Sequence, residues 1–163
     1  MSLKPNRTSK PPSLRLEPTR DRQEAPALSI TVVYTSVPAT SAALKAAGTL
    51  AESLSAAITL VVPFIVPYPL PLSNPPIPVE FQELRLRELA EKSQAQVQAQ
   101  VCLCRDAFEA LTKTLSPHSV VIVGGRKRWW QTRESRLARQ LQRAGHEVIF
   151  TDVSEKSSRG SHA

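Results

Sequence analysis

Five apolar runs alternate with segments whose apolar residues recur at helical spacing, and this alternation is the dominant pattern in the chain. Ile30 to Tyr34 is short, β-branched and apolar throughout, which predicts a buried strand. Pro38 stands where a helix can begin. From Ala39 to Ala56, residues Ala43, Ala47, Leu50 and Leu54 fall on helical spacing in an alanine-rich segment. Ile58 to Val62 predicts a second strand. Pro63 to Pro78 holds seven prolines, a density that predicts a long extended loop. Pro78 suits the first turn of a helix expected over Val79 to Gln96, where Phe81, Leu84, Leu86 and Leu89 sit among charges.

From Val97 to Leu103 apolar and polar residues alternate, the signature of a strand at or near a sheet edge. Asp106, with Glu109 three positions on, predicts a capped helix start, and Phe108, Leu111 and Leu115 give that helix its apolar face before Pro117. Ser119 to Val123 predicts a fourth strand running into Gly124 and Gly125. Thr132 is the expected N-cap of a last helix, with Leu137, Ala138, Leu141 and Ala144 as its stripe and Gly145 as its stop. Glu147 to Val153 predicts the fifth strand. The order β-α-β-α-β-α-β-α-β implies an α/β domain with a doubly wound, mainly parallel sheet and helices on both faces.

Composition narrows the setting. The chain has 163 residues, room for one domain, and 41% of them are apolar, enough for a packed core. Two cysteines exclude a disulfide scaffold, and no cysteines and histidines have zinc-finger spacing. The most apolar stretch, Ile58 to Leu72, is interrupted by four prolines and is too short to span a bilayer, so no membrane insertion is expected and the cytoplasm is the expected location. The net charge of +7 is uneven. Residues 1–28 carry +3, with five prolines and no aromatic residue, and read as a disordered basic tail. Residues 29–125 carry −1, whereas residues 126–143 carry +6. Residues 154–163 read as a flexible end. The domain is thus expected over residues 29–153, with its charge concentrated in one segment.

The pattern resembles the universal stress protein family, within the larger group of Rossmann-like, adenine-nucleotide alpha-hydrolase-like folds. The resemblance rests on the first apolar strand, the alanine-rich helix, the strand ending in Val61-Val62-Pro63, the long loop, and Val120-Val121-Ile122-Val123-Gly124-Gly125 followed by a helix and a last strand. It implies the strand order 3-2-1-4-5 and a homodimer paired through strand 5, residues 147–153. That order puts the topological switch, where open α/β sheets bind ligands, beside the ends of strands 1 and 4. Candidate crevice residues are therefore Thr35, Gly124, Gly125, Arg126 and Lys127. The family's nucleotide-binding members have an aspartate at the end of strand 1 and a glycine-spaced motif after strand 4. Here Tyr34 takes the aspartate's place, and after Gly125 no glycine follows until Gly145. Without those glycines backbone amides lack close access to phosphate, so no cofactor is expected, with ATP or AMP as the alternative.

Two readings follow for the basic segment. Arg126, Lys127 and Arg128 sit where charge can hold phosphate, Trp129 and Trp130 where rings can stack on a base, and Arg136, Arg139 and Arg143 share one helix face. Equally, the arginines read as a solvated face and the tryptophans as a cap on the core. Cys102 and Cys104 point the same way along a strand, about 7 Å apart, and read as small packed residues, with redox sensing as the alternative. His118 and His146 fall at the far end of the sheet, which leaves the crevice without acid–base groups and without a nucleophile–base pair. The expected function is a non-enzymatic, universal-stress-protein-like domain with a regulatory or stress-response role, lacking the usual ATP-binding mode. The alternative is a binding module whose segment 126–143 recognises a nucleotide phosphate, nucleic acid or another anionic partner.

Overall fold

The computed structural model describes residues 28–91, 95–126 and 132–153. The expected tails and the segment 127–131 lie outside the described residues, apart from Leu28, whose carbonyl already accepts a bond from Ala57 N at 3.0 Å. The elements follow in alternation: β1 (Ser29–Val33), α1 (Val37–Leu54), β2 (Ala57–Ile65), α2 (Val79–Glu91), β3 (Val97–Cys104), α3 (Ala107–Thr114), β4 (Val120–Gly125), α4 (Arg133–Arg143) and β5 (Glu147–Asp152). All strands are parallel, in the order β3-β2-β1-β4-β5, as expected.

The central strands β1, β2 and β4 are buried on both sides because each alternate residue feeds a different helical layer. Ile30, Val32, Ile58, Leu60 and Ile122 meet Ala43, Leu44 and Ala47 of α1 and Leu86 and Leu89 of α2. Val33, Val61, Val121 and Val123 meet Leu111 of α3 and Ala138 and Leu141 of α4. The helix starts at α3 and α4 are those the sequence specifies. Glu109 N donates to Asp106 Oδ1 at 2.8 Å, and Ser135 N donates to Thr132 Oγ1 at 3.2 Å. Gly145, with φ of 95°, closes α4 in a conformation that glycine adopts without strain. No helix among the described residues is long and apolar enough to cross a membrane.

Several expected boundaries are corrected. Helix α1 begins at Val37, with Pro38 inside its first turn, and ends at Leu54. Helix α2 is described over Val79–Glu91, and Ala95 and Gln96 are not helical, so it does not reach Gln96. Ala144 is exposed and is not part of the α4 stripe. Strand β2 does not end before Pro63 but runs through it to Ile65. The reason lies in the register. Val61 is the last β2 residue paired with β1, whereas β3 accompanies β2 as far as Ile65. Val61 O accepts from Tyr34 N on the β1 side, and peptide groups two residues apart face the same way. Pro63 therefore faces the side where β1 has ended, and its missing N–H removes no ladder bond.

The long loop after β2 is tied down by a residue with no sequence signature. Arg105, just past β3, donates to Val66 O at 2.7 Å and to Leu70 O at 2.6 Å. Its guanidinium also lies 4.0 Å from the centre of the Tyr68 ring, within cation–π range. Turns closed by Leu70 N to Pro67 O and Asn74 N to Pro71 O fold the proline-rich stretch back on itself.

Candidate functional site

The crevice beside β1 and β4 is built, but it is already occupied by the protein's own groups. Thr35 Oγ1 donates to Gly124 O at 2.8 Å, so the first residues after β1 are bonded across to β4. Thr35 N donates to Thr40 Oγ1 at 3.2 Å, and Thr40 is wholly buried. Thr40 N in turn donates to Ser36 O at 2.8 Å. These bonds seal the start of α1 onto the strand ends. Thr40 was not legible as a site residue, although its place on the inward face with Ala43, Leu44 and Ala47 marks a buried hydroxyl that needs a partner.

Gly124 and Gly125 were expected as candidate crevice residues in a turn that follows the fourth strand. They are instead the last two residues of β4, paired with Thr151 and Asp152. Each lets a different helix approach the sheet. A Cβ on Gly124 would fall 2.1 Å from Ala39 O, in the first turn of α1. A Cβ on Gly125, on the opposite face, would fall 2.8 Å from the Phe150 ring and 2.9 Å from Glu134 Cβ in α4. Their carbonyls are also engaged, Gly124 O by Thr35 and Gly125 O by Val153 N at 2.9 Å. The glycines therefore serve close packing from both sides.

Tyr34, in the position where the resemblance implies an aspartate, packs partly buried against the layer formed by α1 and α2. Arg126 follows β4 and is exposed. Lys127, Arg128, Trp129 and Trp130 lie outside the described residues. The structure thus brings Thr35, Gly124 and Gly125 together with Thr40 and Ala39. Of the expected cationic residues at the crevice mouth, it describes Arg126.

The remaining candidates separate from this crevice. His118 Nδ1 lies 3.2 Å from Gly145 O at the amino-terminal end of β4 and β5, as its sequence position implied. Cys102 Sγ is 3.8 Å from Thr114 Oγ1, and Cys104 Sγ donates to Phe64 O at 3.7 Å. Burial pushes the Cys104 thiol up to about 11, with Cys102, Asp106 and Glu109 adding to the effect, so at neutral pH it is a packed thiol and not a thiolate. A groove of about 500 Å³ opens away from the crevice, between α1 and β5, lined by Ala46, Thr49, Leu50, Ser53, Ile122 and Ile149. It flanks the free edge of β5, where Ile149 is 39% exposed.

No protein-family model and no curated protein matches the chain. Solved structures do. A universal stress protein from Archaeoglobus fulgidus superposes with a TM-score of 0.54 at 13% identity, over 76% of this chain and 92% of that one. A universal stress protein in complex with cAMP superposes with a TM-score of 0.50 at 12% identity, over 80% of this chain and 100% of that one. The shared strand order and helix placement show that this chain has the fold of the universal stress proteins.

Proposed function

We propose that the chain is a non-catalytic regulatory module of the universal-stress-protein type, acting in the cytoplasm in a stress response as a homodimer joined through β5, and that it does not hold ATP in the manner of the family's nucleotide-binding members. The observation that carries this reading is the backbone of Ala39 packed onto Gly124. The start of α1 lies directly against the end of β4 there, and the Gly124 carbonyl beside it is engaged by Thr35, which supports a crevice without room for phosphates. The cAMP held by one structural neighbour makes cyclic nucleotide the first ligand to test.

Thermal melts with ATP, ADP, AMP and cAMP are expected to leave the midpoint unchanged. A ligand at one hundred times its dissociation constant would add about 2.7 kcal/mol, a clear shift, and such a shift with ATP would overturn the nucleotide-free reading. For the dimer, β5 stands at one end of the strand order, and Ile149 within it is exposed. Sedimentation is expected to give twice the chain mass, and Ile149→Asp to give monomer. A wild-type monomer at tens of micromolar, or an unaltered dimer in the variant, would refute pairing through β5.

One observation favours a second reading, a module that recognises an anionic partner through Arg126 to Arg143. On α4, Arg133, Arg136, Arg139 and Arg143 are all exposed.

A further inference from the structure

The four arginines of α4 occupy one side of the helix. At 100° per residue, Arg133, Arg136, Arg139, Gln140 and Arg143 fall within about a third of its circumference, opposite Ala138 and Leu141, which are buried in the core. Among the described residues no ion pair or hydrogen bond engages any of the four guanidinium groups. The helix's one acid, Glu134, is half-buried against Gly125 on the packed side. On the adjoining helix α3, Glu109 is paired with Lys113 at 2.6 Å. The outer face of α4 is therefore uncompensated positive charge that the fold itself does not use.

Its composition selects among anionic partners. Every base on α4 is arginine, whose planar fork binds phosphate oxygens in pairs. The outer arc carries no aromatic residue on which single-stranded bases would stack, and no large apolar residue to enter a membrane interface. Spacing points the same way. Arg133 to Arg143 spans about 15 Å of helix axis at 1.5 Å per residue. One strand of a B-form duplex carries about four phosphates over that length, one per 3.4 Å. An α-helix also fits the roughly 12 Å major groove of B-DNA, whereas the A-form groove of duplex RNA is too narrow.

We infer that the outer face of α4 is a docking surface for duplex DNA, held through its phosphates by Arg133, Arg136, Arg139 and Arg143. The inference rests on reading the basic segment as a binding surface, and it is independent of the dimer. It is tested with the full chain by fluorescence anisotropy, using a labelled 20-base-pair DNA duplex, the matching RNA duplex, a 20-nucleotide single strand and heparin, over a series of salt concentrations. Four phosphate contacts at about 0.9 each predict a slope of log affinity against log salt near −3.6 for duplex DNA. Arg136→Gln, Arg139→Gln and Arg143→Gln together are expected to reduce it to about −1 and to weaken binding at least tenfold, while Arg85→Gln with Arg87→Gln on exposed positions of α2 leaves it unchanged. Circular dichroism of each variant checks that the fold is kept. RNA, single strand or heparin bound as tightly as duplex DNA, with the same dependence on α4, would overturn the DNA assignment and leave a general anion surface standing. Absence of binding to all four, or binding indifferent to the α4 variants, would overturn both readings.

Discussion

Gly124→Ala is expected to cost about 3 kcal/mol or more of folding stability. The added Cβ would lie 2.1 Å from Ala39 O and 2.6 Å from Ala39 C, contacts with backbone that no rotamer change relieves. Relief requires the first turn of α1 to lift from the sheet. That movement strains the bond from Thr35 Oγ1 to Gly124 O and the bond from Thr35 N to Thr40 Oγ1. Gly48→Ala is the matched control. Its Cβ would meet only Ala95 Cβ, at 4.0 Å, and replacing a helical glycine by alanine stabilises by about 0.5–1 kcal/mol. Urea denaturation of both variants reads the contrast. A loss below 1 kcal/mol for Gly124→Ala would show that the start of α1 retreats freely, and would remove the argument that the crevice is closed.

The second large effect is expected at Leu111→Ala, a loss of about 3–5 kcal/mol. Helix α3 is eight residues long, and Leu111 is its one fully buried residue. The side chain has no solvent exposure and sits among Val33, Val61, Val121, Val123, Ala138 and Leu141. Removing it leaves a cavity and also takes away the anchor of a helix too short to persist alone. Phe81→Ala is expected to change stability by less than about 0.5 kcal/mol, because that ring is 58% exposed. Denaturant midpoints separate the two, and a Leu111→Ala loss under 1 kcal/mol would contradict the packing described for α3.

The architecture was legible because its signals are local. Asp106 with Glu109, Thr132, Gly145 and the alternation from Val97 onward each fix their element through neighbours a few residues away. Strand order came from the resemblance and not from spacing. The crevice was less legible, because its features depend on contacts between distant segments. In sequence Gly124 and Gly125 read as a turn beside the crevice, and only the arrival of Ala39 on one face and Phe150 with Glu134 on the other makes them packing glycines. Pro63 was read as the end of β2 for want of the register that makes its missing N–H harmless. Arg105 reads in sequence as one more surface charge, since its partners Val66 O and Leu70 O depend on how the loop folds.

The overrun of β2 past β1 also gives the ligand edge a polarity. Beyond Val33 the chain end of β1 lies in a notch, with β2 rising four residues on one side and β4 two on the other, about 13 Å and 7 Å at 3.3 Å per residue. The taller wall turns the Pro63 peptide unit toward the notch, and that unit has a carbonyl to offer but no N–H. On the shorter wall, Gly124 presents a carbonyl that Thr35 already engages. At the shorter wall the donor comes from the chain itself, so the notch is closed on that side by the Thr35 hydroxyl and faced on the other by a residue that can only accept.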